Sequence, residues 1–172
     1  MDRAVFIDAM RRAAASVTVV TTNGVAGRAG VTVSAMCSAS ADPPALLACI
    51  HQESTAVPAI LGNGNFCVNI LAEGQRHIAE WFAGLRREAA VDKFDCASWR
   101  DLGEYGLALD GALAVFGCRL AASHRVGSHF VLIGHPGIIT RGDGLPLIYA
   151  DRRFGVPLLQ MPSEPPARLS PN

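Results

Sequence analysis

Apolar and polar positions alternate with a period near two along most of the chain, and three stretches switch to helical spacing. Residues 2–15 carry Phe6, Ala9, Met10 and Ala13 at helical intervals, with Asp2 placed to cap them, and predict an opening helix. From Val17 the period shortens: Val17, Val19 and Thr21 alternate with Thr18, Val20 and Thr22, a β-branched strand ending at Asn23-Gly24. Residues 30–34 read as its hairpin partner, and 45–51 and 65–71 as two more short strands bounded by Pro, Gly or Asn. Between them Ser54 or Thr55 starts a short helix, in which Pro58 is tolerated because it lies in the first turn. A second helix is expected over about 75–85, with Ile78, Trp81, Phe82 and Leu85 on one face. After a polar stretch at 92–101, β-type sequence returns at 113–121 and 130–140, and 145–150 makes a last strand. Six or seven strands separated by turns predict a mainly β fold, an antiparallel barrel or sandwich with a few short helices. Residues 1–160 read as one domain. Residues 161–172 hold four prolines and read as an unpacked tail.

Composition narrows the function classes. Half of the 172 residues are apolar and 17% are charged, which marks a globular chain. Fifteen basic residues balance fifteen acidic ones, so no electrostatic footprint for nucleic acid or an anionic membrane exists. The longest apolar runs, such as 43–50, are far shorter than a membrane span, and the N-terminus lacks a secretory pattern; the expectation is a cytoplasmic protein. The five cysteines form no C-x-x-C pair and are expected to be reduced and mostly buried. The histidines form no H-E-x-x-H pattern. His124 and His129, five apart on β-type sequence, are expected on opposite faces, so no metal site is predicted. Gly62-Asn63-Gly64 lacks the third glycine of a dinucleotide fingerprint and leads into a strand. Neither a Walker loop nor a G-x-S-x-G elbow is present.

Two segments carry unusual chemistry for their positions. Residues 30–40, closed by Asp42-Pro43-Pro44, are dense in small and hydroxyl side chains inside an apolar region. Such side chains let a flat ligand approach the backbone and hydrogen-bond to it, although a serine-rich loop between strands explains the same residues. His51-Gln52-Glu53-Ser54-Thr55 puts two hydroxyls at a helix start directly after a strand. Free N–H groups there suit a phosphate, although N-capping alone accounts for the hydroxyls.

Taken together, the motifs of residues 6–154 resemble the flavin reductase domain of short-chain NAD(P)H:flavin oxidoreductases. The matching pieces are Phe6-x-x-Ala9-Met10, Val20-Thr21-Thr22, Gly30-x-Thr32-x-Ser34-Ala35-x-x-Ser38-x-Ser40 and Asp42-Pro43-Pro44. They continue through Ser54-Thr55, Gly64-Asn65-Phe66-x-Val68-Asn69, Asp92-Lys93-Phe94, Gly127-x-His129 and Tyr149-x-x-Arg152. Within the family, Leu147-Ile148-Tyr149-x-x-Arg152-Arg153-Phe154 is most similar to the reductase component of 4-hydroxyphenylacetate 3-monooxygenase. Ala26-Gly27-Arg28-Ala29-Gly30 is similar to the reductases of pyrimidine monooxygenase systems.

The resemblance implies a homodimeric antiparallel split β-barrel that holds FMN or FAD near the subunit interface. It places Thr32, Val33, Ser34 and Ala35 along the isoalloxazine ring, largely through backbone groups. Ser38 and Ser40 would reach the ribityl chain or phosphate. His51, Ser54 and Thr55 would hold the phosphate, with Lys93 adding charge beside Phe94. His129, Tyr149, Arg152 and Phe154 would shape the site for NADH or NADPH. Ser128 stands where many relatives have an acidic residue. Plain alternatives remain for several positions: a surface role for Lys93, and core packing for Phe82, His129 and Tyr149. The implied activity is hydride transfer by positioning, with no catalytic side chain, and release of reduced flavin to an oxygenase on a separate chain. The rival readings are a split-barrel flavoprotein that oxidises a small substrate directly and a module that only binds flavin.

Overall fold

The computed structural model describes residues 2–86, 88 and 91–160; residues 161–172, read above as a tail, lie outside these. Helix α1 (Arg3–Met10) is capped by Asp2, whose carboxylate accepts from the Ala4 N–H at 2.8 Å. It ends five residues earlier than the periodicity predicts, because residues 15–16 are taken into a strand, and it buries none of its side chains. Strands β1 (Ala15–Ser16), β2 (Thr18–Thr22), β3 (Ala29–Val33), β4 (Met36–Ala41) and β5 (Pro44–His51) precede helix α2 (Ala56–Asn63). Strand β6 (Asn65–Ile70) leads through a 3₁₀ turn into helix α3 (Arg76–Phe82). The chain then runs through a second 3₁₀ turn (Lys93–Cys96) into β7 (Trp99–Asp101) and β8 (Leu107–Leu109). The long strands β9 (Ala114–Val126) and β10 (His129–Arg141) follow, then β11 (Ile148–Ala150) and β12 (Arg153–Gly155).

Seven strands form one antiparallel sheet in the order β3-β2-β6-β9-β10-β5-β4, with smaller sheets β1-β11-β12 and β7-β8 beside it. Its two faces carry separate cores. Val20, Val33, Ala48, Ile50, Phe66, Val68 and Leu132 pack together with Val57 and Ile60 of α2 inside the curl of the sheet. Val19, Cys67, Val115 and Leu147 pack on the other face against Ile78, Ala79 and Phe82 of α3 and Leu107 and Leu109 of β8. Both faces of β2 are therefore covered, and all five of its residues are buried, so its three threonines reach water no more than its two valines do. Their hydroxyls are spent internally: Thr18 Oγ1 on Val33 O at 2.8 Å and Thr21 Oγ1 on Leu107 O at 2.5 Å.

Buried Asn69 sits at the centre of this network. Its amide donates to Val19 O (3.0 Å), Thr21 Oγ1 (3.2 Å) and Leu107 O (3.2 Å), and its carbonyl accepts from Leu109 N (2.7 Å). One side chain thereby ties β2 and β8 to β6, and meets the rule that a buried amide keep its partners.

The structure corrects the sequence reading at several elements. Twelve strands are present among the described residues, not six or seven. The serine-rich segment at 36–41 is a strand, β4, pairing with β5 across a register shift between Ser38 and Ser40. Its side chains are mostly exposed because it lies on the sheet edge, so it lacks the apolar alternation of a half-buried strand. The last strand is β12, not 145–150. Leu85 lies beyond α3 and is 70% exposed, so it does not share the buried face of Ile78 and Phe82. His124 and His129 are on different strands: the chain reverses at Gly127-Ser128, with Val126 opposite His129. Two-fold alternation along one strand therefore does not govern their relation. None of the five cysteines is in a disulfide, but Cys37 is exposed and only Cys67 and Cys118 are buried.

Candidate active site

Edge strand β3 and strand β5 share no ladder, and between them the curled sheet leaves a slot of about 220 Å³. Val31, Thr32, Val33, Ser34, Ala35, Cys49, Ile50, His51 and His129 line it. The residues expected along the isoalloxazine ring are thus brought together, with His51 and His129 at one side. Because β3 pairs only with β2, its other edge has no ladder partner and leaves backbone donors and acceptors for a flat ligand. The Thr32 hydroxyl is not available for this, since it donates to Ala79 O at 2.8 Å and fastens β3 to α3.

His129 reaches the slot through the turn that precedes it. Gly127 (φ +57) opens the two-residue hairpin between β9 and β10, a position where a side chain is strained. His129 then pairs with His51 across β10 and β5, and the two rings meet edge to face with centroids 5.1 Å apart. Ser128 Oγ lies 3.0 Å from His129 Nδ1. His51 Nδ1 accepts the Glu53 N–H at 3.3 Å, so in the neutral ring the proton is on Nε2, a donor left for a ligand. His129 is exposed, which removes the core-histidine alternative.

A second, larger cleft of about 800 Å³ meets the slot at Val31 and His51. It gathers Ser54, Thr55 and Lys93, the other residues expected to hold a phosphate, with Gly30, Glu53, Trp81, Phe82, Ala83, Gly84, Arg86, Glu88, Val91 and Asp92. The N-terminus of α2 offers fewer free donors than the sequence suggests. Ala56 N–H bonds to Ser54 Oγ (3.3 Å), Val57 N–H to Ser54 O (3.1 Å), and Pro58 has no N–H. What the turn keeps is the Thr55 hydroxyl, exposed and without a cap bond.

Lys93 is half-buried: its Nζ donates to Gly30 O at 2.6 Å and lies 5.2 Å from the Phe82 ring centroid. Burial pushes its pKa down, partly offset by Asp92. An anion arriving beside it would regain what burial costs the ammonium. Asp92 is held below the ordinary carboxylate range, first by the Phe94 N–H at 3.0 Å and then by Arg28, 2.5 Å away. Arg28 also stacks over Phe94 at 4.5 Å. Gly30 is required for close approach: a Cβ there would stand 2.7 Å from the Phe82 ring.

A family model described as a flavin reductase like domain matches residues 10–156. The chain belongs to the flavin reductase family. It is 42% identical over 155 residues to the FMN reductase (NADH) RutF of Methylorubrum extorquens, covering 90% of this chain and 76% of that protein. It is 39% identical over 158 residues to the 4-hydroxyphenylacetate 3-monooxygenase reductase component of Salmonella typhimurium, covering 91% and 92%. Among solved structures, the Streptomyces globisporus NADH:FAD oxidoreductase SgcE6, in complex with NAD and FAD fragments, matches with a TM-score of 0.80 at 27% identity. That match covers 90% of this chain and 92% of the other. Membership in the flavin reductase family carries with it the split barrel and the oxidoreductase class expected from the sequence.

Not every residue assigned from the flavin reductase resemblance converges on slot and cleft. Ser38 and Ser40 line a separate groove of about 400 Å³ with Met36, Leu46, Phe116 and Ile139, and Ser40 Oγ accepts from Asp42 N at 3.2 Å. Phe94 is 4% exposed and packs edge-on against Phe82 and Trp99, so its place is the core beneath Lys93. Tyr149 and Phe154 are half-buried, pack on each other at 5.2 Å, and border a recess next to Thr32–Ser34. Arg152 stands at the tip of the β11–β12 hairpin with φ +62, in a depression that Ser34 also borders. Sequence reasoning missed Arg86 and did not assign Trp81 to the cleft. Trp81 was grouped with Ile78, Phe82 and Leu85 on one face of the helix, and Arg86 follows the helix without a motif.

Proposed function

We propose that this chain is an NAD(P)H-dependent flavin reductase that binds FMN or FAD with the ring system in the slot and the phosphate in the adjoining cleft. The observation carrying this reading is the continuity of the two: a flat slot edged by open backbone groups leads at His51 into a cleft with a hydroxyl, a histidine donor and a half-buried lysine. The fit is good for a flat ring bearing a phosphorylated tail. Bound flavin supplies two-electron hydride acceptance, and the protein's task is to hold the reduced nicotinamide within attack distance of it.

The residues share that task by position. His51 Nε2, the Thr55 hydroxyl and Lys93 hold the phosphate. The β3 edge fixes the ring. His129, on the opposite wall of the slot, hydrogen-bonds the nicotinamide dinucleotide, and Tyr149, Arg152 and Phe154 border its approach. The slot and cleft are open to solvent, which suits a flavin that exchanges and leaves reduced for a separate oxygenase chain. Reductase components named for a monooxygenase and for a tryptophan halogenase among the relatives support such a partner. A homodimer is part of the proposal; the apolar groove holding Met36, Phe116 and Ile139 offers a face for a second copy, and Ser38 and Ser40 lie on it. The absence of disulfides among the five cysteines fits a cytoplasmic setting. No helix is long and apolar enough to cross a membrane among the described residues.

Mixing the protein with NADH or NADPH and free FMN or FAD tests this reading by absorbance. Rapid nicotinamide oxidation that depends on added flavin supports it. Flavin that stays bound without consuming either nicotinamide would refute it in favour of an oxidase or a binding module. Sedimentation at micromolar concentration tests the dimer; an active monomer defeats that part.

A further inference from the structure

The cleft beside Ser54 and Thr55 is much larger than a phosphate requires, and its far wall has chemistry that the flavin assignment does not use. Trp81 lies there, half-buried, one residue before the core residue Phe82. The two tryptophans differ sharply. Trp99 donates its indole N–H to Phe94 O at 2.9 Å and packs against the rings of Phe82 and Phe94. Trp81 has no hydrogen bond from its indole and no ring partner among the described residues, and it lines the cleft. Small residues, Ala83 and Gly84, continue the wall beside it.

Arg86 stands on the same wall and is held in place. Glu80 receives Arg86 Nε at 2.7 Å and Arg76 Nε at 2.8 Å, and its backbone carbonyl accepts the N–H groups of Leu85 (3.0 Å) and Arg86 (3.3 Å). The chain after α3 therefore folds back so that the guanidinium, with its outer nitrogens unspent among the described residues, edges the cleft. Two carboxylates without ion-pair partners among the described residues, Glu53 and Glu88, border it too. Carboxylates at a nucleotide site accept ribose hydroxyls and repel a 2′-phosphate.

We propose that this outer part of the cleft is a binding site for an adenosine diphosphate group lacking a 2′-phosphate, with Trp81 stacked on the adenine and Arg86 paired with the phosphates. The proposal rests on the placement of the flavin phosphate beside Thr55. The adenylate comes from one of two sources, FAD or the reduced nicotinamide dinucleotide, and FMN has none. An aromatic ring stacks any base, and a pre-positioned guanidinium pairs phosphate oxygens at little further ordering cost.

The test compares FMN and FAD affinities and the KM for NADH in the wild type, Trp81→Leu, Trp81→Phe and Arg86→Ala, with ADP as competitor. If FAD supplies the adenylate, the wild type binds FAD about tenfold more tightly than FMN. ADP then competes with FAD more than with FMN. Trp81→Leu and Arg86→Ala erase the difference without changing FMN affinity, and Trp81→Phe retains most of it. If the nicotinamide dinucleotide supplies it, FAD and FMN bind alike and Trp81→Leu raises the KM for NADH about tenfold, again with FMN affinity unchanged. Arg86 is exposed, so its variant reports on the site even if Trp81→Leu folds poorly. Equal FAD and FMN affinities with an unchanged KM for NADH in Arg86→Ala, and in Trp81→Leu where it folds, overturn the proposal. So does equal weakening of FMN and FAD in every variant. Failure of the underlying flavin assignment looks different, because the wild type would then bind neither flavin.

Discussion

Replacing His129 by alanine is the sharpest probe of the nicotinamide side of the slot. The imidazole is exposed on the wall opposite Val31–Ala35, fixed by Ser128 Oγ at 3.0 Å and by the edge-to-face contact with His51. Its removal opens no core cavity, so the melting temperature should change little. What it removes is one hydrogen bond to the dinucleotide, about 1.4 kcal/mol, which raises the KM for the reduced nicotinamide about tenfold. The lost ring contact adds a smaller effect on His51, on the order of 0.5 kcal/mol, and flavin affinity should therefore fall less than threefold. Steady-state kinetics with each nicotinamide, a flavin titration and a thermal melt on the same preparation check all three quantities. A double-mutant cycle with His51→Ala isolates the ring coupling. Unchanged KM with flavin affinity reduced tenfold would place His129 on the flavin phosphate and refute the division of labour between the two histidines.

Other substitutions test the remaining parts. Thr55→Ala should weaken flavin binding about tenfold, through one hydrogen bond to a charged group, with the melting temperature kept. Ser54→Ala should do the reverse, because its Oγ already serves Ala56 N–H; equal effects in calorimetric titration and thermal melts would contradict the assignment. Asn69→Leu orphans the buried Leu109 N–H and should cost about 3 kcal/mol or more in urea unfolding, whereas a loss under 1 kcal/mol would show the network to be dispensable. Arg152→Gly relieves a left-handed backbone at a two-residue hairpin and should raise stability by about 1 kcal/mol while raising the KM for the dinucleotide; a lowered melting temperature speaks against it. The depressed Asp92 carboxyl contributes stability that is fully present above its unfolded pKa, about 3.9, and lost as pH falls through its lower folded value. Asp92→Asn should therefore lower the urea midpoint at pH 7 but not at pH 2; equal losses at both would refute the linkage.

The β-rich class, the short helices and the hydroxyl segments were legible because each leaves a local mark: period-two alternation, a capping residue, small side chains in an apolar setting. Strand β4 was not, since an edge strand with both faces near solvent has no apolar period, and β7, β8 and β12 are too short to show one. Thr32, His51, Thr55 and Lys93 carry their place in motifs and converge as expected. Trp81 was placed on one helix face with Ile78 and Phe82 by its spacing; spacing cannot tell a residue at the margin of the buried stripe from one at its centre. The spent N–H groups at α2 were equally hidden, because they depend on where Ser54 turns its hydroxyl.

The slot is a seam, the place where a curling sheet fails to close on itself. Its two lips, β3 and β5, are separated in the sheet order by β2, β6, β9 and β10, so no ladder sets their spacing, and a backbone hydrogen bond from Cys49 N–H to Ala35 O at 2.9 Å ties them just past the end of β3. Along β3 itself the spacing follows the stuffing of the curl, where the Phe66 ring fills the space that a Cβ on Gly134 would enter at 2.5 Å. The gauge of the ligand slot is therefore written in the hydrophobic interior. A methylene added or removed deep in that core shifts the lips, and variation at sites that never meet the flavin becomes a tuning screw for how tightly it is gripped.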